Sequence, residues 1–265
     1  MLINPEGVDF LIALIDKAGD AIMNIYDSTE PISQGIKSDD SPLTQADLAA
    51  NSILVDGLTS RWPNIPILSE ESSNNFSAGE NPPLYWAVDP LDGTKEFIKK
   101  NGEFTVNVAL IVEGVAEIGF VYAPAIDCFY MGHKSKLIDL PSGAKKRNVN
   151  GWQTINTSGA KNGLDIDRPY RFAMSRSHPS KELEDWLRSY SSYETSDIGS
   201  SLKFCLVADG SVDAYPRLGP TCIWDTAAGS AVVSSAGGRV TTLDKVNLIY
   251  PQPYNIKNPF FVAWG

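Results

Sequence analysis

Apolar residues recur along residues 8 to 26 at steps of three and four. Phe10, Leu11, Leu14, Ile15, Ala18, Ile22 and Ile25 form one broad stripe, which predicts an amphipathic helix. Residues 31 to 43 are polar, carry Pro31, Gly35 and Pro42, and predict a loop or short irregular hairpin. Thr44, with Asp47 three residues on, marks a second helix start in the manner of a capping box with Asp for Glu. That helix runs to about Arg61, and Pro63 follows it. A short strand over 66 to 69 ends in Glu70-Glu71, and residues 72 to 83, rich in Ser, Asn, Gly and Pro, predict a surface loop. A β-prone apolar run then begins at Leu84. Two β-rich runs, 104 to 112 and 115 to 123, flank Glu113-Gly114 and give the clearest hairpin.

Residues 132 to 168 carry the weakest pattern, and the domain boundary is placed there, dividing 1–145 from 146–265. Beyond it the pattern predicts a strand at 170 to 175, a helix at 180 to 190, a strand at 193 to 197 and a helix at 200 to 208. A strand at 212 to 216, a small-residue helix at 225 to 236 and strands near 239 and 260 complete the chain. Alternating strands and helices predict a layered α/β architecture.

With 265 residues the chain is long enough for one large or two medium α/β domains. A net charge of −10 argues against a general nucleic-acid binder, which needs a basic face, but leaves room for a small anion neutralised by cations or local basic groups. Cys128, Cys205 and Cys222 form no C-x-x-C pair and none starts a Cys-x5-Arg phosphatase loop, so they read as small hydrophobes in a reducing compartment. Asp9, Asp16, Lys17 and Asp20 interrupt the first apolar stretch, which has no basic leader or cleavage site; neither a signal peptide nor a membrane span is predicted.

The richest chemistry lies where the run from Leu84 breaks into Asp89-Pro90-Leu91-Asp92-Gly93-Thr94. Two carboxylates, a carbonyl and a hydroxyl share one small volume there, with Pro90 fixing one φ and Gly93 permitting a positive one. Such donors suit a hard cation such as Mg²⁺. Glu70, Glu71 and Asp225 likewise stand where regular structure ends or starts. Taken singly, Asp225 and Asp47 read as helix-start residues, Glu70 and Glu71 as solvated loop residues and Asp89 as a turn former. If they converge, their repulsion is about 1 kcal/mol per pair at ~4 Å in water and about 4 at an effective dielectric of ~20. Only bound cations or raised pKa values make that tolerable. The absence of Cys and His from the set favours Mg²⁺ over Zn²⁺. An aspartyl-phosphate mechanism fails on register, because the nucleophile position two residues before Asp92 is Pro90, and no Walker A sequence is present.

At Glu70, Asp89 to Thr94 and Trp224-Asp225-Thr226-Ala227-Ala228-Gly229, with Gly237-Gly238 after the last helix, the chain resembles the inositol monophosphatase-like superfamily of Mg²⁺-dependent, lithium-sensitive phosphatases. Within it, the chain is most similar to the 3′(2′),5′-bisphosphate nucleotidases of the bacterial CysQ type. Lys95-Glu96-Phe97-Ile98, Asn101 to Thr105, Ser175 to His178 and Gly199 to Cys205 carry that likeness. The resemblance implies an αβαβα layered sandwich, a sugar-phosphatase fold with two halves around a metal site. Glu70, Asp89 and the Leu91 carbonyl are implied to hold one Mg²⁺, and Asp89, Asp92 and Asp225 a second. Thr94, oriented by Asp47, is implied to position and help deprotonate the attacking water, with Glu71 supporting that water or a third, loosely held Mg²⁺.

The implied reaction is in-line hydrolysis of a phosphate monoester by an activated water. The implied substrate is adenosine 3′,5′-bisphosphate, giving AMP and phosphate, with 3′-phosphoadenylyl sulfate as a second substrate and sulfate assimilation as the setting. Gly199-Ser200-Ser201 opens a helix whose amides and dipole favour an anion, and Lys203 adds a charge one turn inside. Taken alone these residues are also consistent with an N-cap and an exposed lysine. Glu70, Leu91, Asp92, Gly93, Thr94, Asp225, Ser175, His178, Gly199, Ser200 and Lys203 make up the expected substrate site. His178 also reads as a plain exposed loop residue, and Tyr215, beside Arg217 at the same cleft, also reads as core. Rival readings are an inositol monophosphatase or related sugar phosphatase on the same acids, and a non-enzymatic Mg²⁺-binding regulator. The expected partner is a small nucleotide bisphosphate, with no nucleic-acid polymer and no stable protein partner. The expected location is cytoplasmic, at most peripheral to the inner membrane.

Overall fold

The computed structural model describes residues 3–29, 34–36, 42–72, 76, 79–134, 137–159, 168–176, 180–251 and 253–265. Helix α1 (Pro5–Tyr26) starts at Asn4, whose side chain accepts the Gly7 amide, and buries Leu11, Leu14, Ile15, Ala18 and Ile22 of the predicted stripe. Two short antiparallel strands, β1 (Gln34–Ile36) and β2 (Pro42–Thr44), lead into helix α2 (Gln45–Arg61), which packs beside α1.

Seven strands follow in one sheet, hydrogen-bonded in chain order: β3 (Ile67–Ser69), β4 (Leu84–Asp92), β5 (Thr105–Val112), β6 (Val115–Ala123), β7 (Cys128–His133), β8 (Gly143–Asn148) and β9 (Gly151–Ile155). Only β3 and β4 run parallel. A single-turn helix, α3 (Thr94–Ile98), interrupts the series after β4. Both faces of the sheet are covered at β4, β5 and β7, so these strands alternate between two cores rather than between core and water. Trp86 and Val88 of β4 face the core shared with α1 and α2, while Tyr85 and Ala87 face the opposite one.

The rest of the chain builds a five-stranded sheet. It comprises β10 (Tyr170–Ser175), helix α4 (Lys181–Leu187), β11 (Tyr193–Ile198), helix α5 (Leu202–Ala208), β12 (Ala214–Arg217), helix α6 (Ile223–Ser235), β13 (Arg239–Thr242) and β14 (Phe261–Trp264), in the sheet order β11-β10-β12-β14-β13. Helices α5 and α6 lie between the sheets: Phe204, Val207, Ala227, Ala228 and Val232 share one core with Ala87, Ala109 and Val121 below and Ala173, Tyr215 and Phe261 above. Helix α4 covers the outer face of the smaller sheet through Leu183 and Leu187. The layers are therefore α1/α2, large sheet, α5/α6, small sheet, α4, which is the αβαβα sandwich. The approach of α6 to β6 is so close that a Cβ on Gly119 would lie 2.2 Å from the Ala228 carbonyl oxygen.

Three features differ from the pattern-based expectation. Strands β8 and β9 lie in the stretch with the weakest signal, and β7, for which no strand was predicted, runs into its start. All six residues of β7 are buried, so no alternation marks it, and β8 and β9 close a polar edge around Asn148 and Gly151. The change of sheet accordingly follows Ile155, and the expected division at residue 145 falls inside β8. Finally, β4 does not stop at Asp89. It continues to Asp92 through a bulge, because two residues, Pro90 and Leu91, stand opposite one, Val106, between the pairs Asp89–Asn107 and Asp92–Thr105. Pro90 has no amide to donate, and the bulge is where a ladder tolerates that. Among the described residues no helix is long and apolar enough to cross a membrane.

Candidate active site

A cleft of about 230 Å³ opens between the two sheets. The ends of β3 and β4 contribute Glu70, Asp89, the Leu91 backbone and Asp92, while the turn after β4 and α3 contribute Gly93, Thr94, Lys95 and Glu96. The strands of the smaller sheet and the turns after them contribute Ser175, Arg176, Gly199, Ser200, Tyr215 and Arg217, the start of α5 contributes Ser201 and Lys203, and α6 contributes Asp225. Gly93 is needed in this place: its φ of 90° suits glycine, and a Cβ there would lie 3.0 Å from the Glu103 carbonyl and 3.2 Å from Ser200 Cβ.

Each acid is delivered by local backbone logic. Asp47 is fully buried and caps α2 with one oxygen only: Oδ2 accepts the Thr44 amide at 2.8 Å and the Thr44 hydroxyl at 2.5 Å. Its other oxygen, Oδ1, receives the Thr94 hydroxyl at 3.1 Å. Thr94 Oγ1 also lies 3.3 Å from the Leu91 carbonyl, its alternative acceptor. Asp225 caps α6 in the same way, accepting the Cys222 amide at 2.6 Å while lining the cleft. Capping is thus compatible with a place in the cleft wall for Asp225 and, for Asp47, with a hold on the cleft residue Thr94 from behind. Asp89 Oδ1 accepts the Leu91 amide at 3.1 Å, which folds the bulge back on its own carboxylate.

The acids repel one another strongly. Burial pushes Asp89 well above the ordinary carboxylate range, and Glu70, Asp92 and Asp225 push it further. Burial also raises Asp92, against the pull of Lys203 and of hydrogen bonds from Ser201. Asp225 is pushed up to about 8 by burial and then by Asp92, against the Cys222 amide. Every donor at this place is a carboxylate or carbonyl oxygen, the set a hard cation takes while keeping waters. Among the described residues no three His, Cys, Asp or Glu side chains are closed around a single point. The acids flank the cleft with room left for such waters, so the donor chemistry fits Mg²⁺.

The facing wall differs from the expectation of a free anion-binding corner. The Gly199 amide donates to the Glu103 carboxylate at 2.8 Å, and Glu103 is in turn gripped by Arg176 through two hydrogen bonds of 3.0 and 2.7 Å. The Ser201 hydroxyl donates to Asp92 at 2.8 Å. Ser200 turns this corner with a φ of 48°. Lys203 is buried, not exposed: its Nζ donates to the carbonyls of Ser200 at 2.6 Å and Ile198 at 3.2 Å and stands 5.3 Å from the Tyr215 ring centroid. Burial lowers its pKa to about 8, against the pull of Asp92. Tyr215 is both core and cleft wall, and Arg217 lines the cleft beside it with one guanidinium N–H on the Pro220 carbonyl at 2.9 Å.

Glu71 follows Glu70 in the turn after β3 and is not among the residues lining the cleft. His178 lies outside the described residues. Asn107, which sequence reasoning passed over, and Ser201, which it read only as part of a helix start, form a hydrogen-bonded chain to Asp92. Asn107 carried a signal, as an amide within the apolar run Val106 to Val112.

The family model described as "Inositol monophosphatase family" matches residues 4–259. The 3′(2′),5′-bisphosphate nucleotidase CysQ of Escherichia coli K12 is 44% identical over 254 residues, covering 96% of this chain and 98% of that protein. The same-named protein of Haemophilus influenzae is 33% identical, covering 87% of this chain and 82% of the other. Among solved structures, that of CysQ from Bacteroides thetaiotaomicron superposes with a TM-score of 0.80 at 33% identity, covering 98% of this chain and 97% of the other. An inositol monophosphatase from Anabaena, at 21% identity and a TM-score of 0.71, shares the fold.

Proposed function

Because the chain belongs to the inositol monophosphatase family, we propose that it is a 3′(2′),5′-bisphosphate nucleotidase that releases one phosphate from adenosine 3′,5′-bisphosphate to leave AMP. One observation carries the reading: a cluster of acids, Asp89 buried and Glu70, Asp92 and Asp225 half-buried, faces a wall bearing Lys203, Arg217 and Ser200 across a single cleft. One side suits a cation-bridged phosphate, and the other suits a second anionic group on the same small molecule.

Glu70, Asp89, the Leu91 carbonyl, Asp92 and Asp225 would hold Mg²⁺, in two sites sharing Asp89, with Glu71 assigned to a third, loosely held ion. When bound, Mg²⁺ neutralises the acids, stabilises charge on the transferring phosphate and makes water acidic. The protein's own part is orientation. Thr94 donates its hydroxyl hydrogen bond to Asp47, which leaves its oxygen lone pairs able to accept a hydrogen bond from the attacking water; as that water loses a proton to Thr94, the Thr94 proton passes to the Asp47 carboxylate. Gly93 keeps the backbone close enough for the ester oxygens to approach. Ser175, His178, Gly199, Ser200 and Lys203 are assigned to the nucleotide and its second phosphate. We further assign 3′-phosphoadenylyl sulfate as a second substrate, inhibition by lithium and a cytoplasmic setting in sulfate assimilation, and we keep the division of the chain into two functional halves.

The decisive assay is phosphate release from adenosine 3′,5′-bisphosphate and from inositol 1-phosphate, with and without Mg²⁺ and Li⁺. Comparable efficiency on inositol 1-phosphate would favour the sugar-phosphatase reading, and no release from either would leave a non-enzymatic Mg²⁺ binder. A chiral thiophosphate substrate should show inversion at phosphorus; net retention would exclude direct attack by water.

A further inference from the structure

Asn107 stands on β5 opposite Asp89, 1% exposed, within a strand whose neighbours are Val106 and Val108. Burying an amide in such a place is costly unless its hydrogen bonds are made. Its Oδ1 has no partner among the described residues, whereas its Nδ2 donates to Ser201 Oγ at 3.0 Å. Ser201 is 2% exposed and stands just before α5, on the opposite wall of the cleft. Its hydroxyl has one proton and two acceptors within reach, Asp92 Oδ2 at 2.8 Å and the Asp225 carbonyl at 3.0 Å. The carboxylate is the shorter and, being charged, the stronger of the two. With one lone pair of Oγ filled by Asn107, the hydroxyl proton is turned toward the acid.

We propose that Asn107 is a positioning residue for Asp92, acting through Ser201, and that this buried relay fixes which way the Asp92 carboxylate presents its oxygens to a divalent cation. The inference rests on the reading of Asp92 as a cation ligand. A purely structural role accounts for it poorly, because Val or Leu at 107 would fill the strand without an unpaired acceptor. The relay also crosses the cleft. It starts on the large sheet, passes through the corner assigned to the second phosphate, and returns to the large sheet at Asp92. The seating of that corner and the aim of the acid are therefore mechanically joined.

The test is a double-mutant cycle of Ser201→Ala and Asn107→Leu, read by calorimetric titration of Mg²⁺ and Mn²⁺ into the substrate-free protein, with melting curves alongside. Each single variant should keep a cooperative melt and lose about 10-fold in divalent affinity. The double variant should lose no more than the worse single, since both changes cut one chain. Asn107→Ala replaces Asn107→Leu should the latter fail to fold. Losses that simply add, or unchanged affinity in Ser201→Ala while Asp92→Asn loses it, would overturn the relay. Unchanged affinity in Asp92→Asn itself would remove the premise, and the proposal with it.

Discussion

Thr94 Oγ1 and Asp47 Oδ1 stand 3.1 Å apart, joining residues 47 positions apart in sequence by the one Asp47 oxygen that helix capping leaves free. The two jobs of Asp47 can be separated by experiment. Asp47→Asn should weaken the cap by about 1 kcal/mol. It should lower kcat by about 100- to 1,000-fold with little change in KM, since the lost interaction orients a proton acceptor. Thr94→Val should lower kcat similarly while leaving the cap and the melting temperature near wild type. Steady-state kinetics paired with thermal melts checks both.

Removing cations should destabilise the protein, because buried acids that repel one another lose their counterions. Chelation should lower the melting temperature, and adding back Mg²⁺ should restore it in a concentration-dependent way. Asp92→Asn should nearly abolish turnover and shrink the Mg²⁺-dependent shift in melting temperature. Near-normal activity in that variant would exclude Asp92 from cation binding.

Lys203→Ala tests substrate choice. The loss should fall far more heavily on adenosine 3′,5′-bisphosphate than on a simple monophosphate ester, compared as kcat/KM. Because Lys203 also holds the Ser200 and Ile198 carbonyls, an equal loss on both substrates would assign it to building the corner instead.

Acid stability should depend visibly on Asp213, a group remote from the acid cluster. Burial pushes its carboxyl up, but bidentate hydrogen bonds from Arg168 and Arg171 outweigh this and hold it well below the usual carboxylate range. A depressed folded-state pKa contributes stability that is fully present above the unfolded value near ~3.9 and drains away as pH falls through the folded one. Asp213→Asn should cost about 2 kcal/mol at neutral pH, because the charge-assisted hydrogen bonds to two half-exposed arginines give way to weaker neutral ones. The deficit relative to wild type should narrow below about pH 4. Denaturant titrations across pH measure this directly.

Much of this was legible because it is written in short-range code. The stripe of α1, the Thr44–Asp47 start of α2, the Glu113-Gly114 hairpin and the acids at strand ends are all local signals, and they gave both the layered fold and the acidic half of the site. What stayed hidden depends on partners distant in sequence. β7 has no alternation because both its faces are covered. Lys203 looks like a solvated lysine one turn into a helix until the Ser200 turn, at φ 48°, folds its own carbonyls over the ammonium. The Gly199 amide looks free until Glu103, 96 positions earlier, arrives to take it. Ser201 gave no sign of Asp92 for the same reason, 109 positions separating them.

Gly119 lies outside the cleft, yet it helps decide how deep Asp225 reaches into it. Helix α6 rests on β6 at Ala228, less than one turn beyond Asp225, and hydrogen is the only substituent that fits beneath it. A methyl group at 119 would act as a shim, lifting the helix and tilting its carboxylate away from Asp92 while the helix itself stayed intact. The cleft is in that sense calibrated from below, by the thickness of a strand. Its tolerance to drift is set at a position that no inspection of the acids alone would mark.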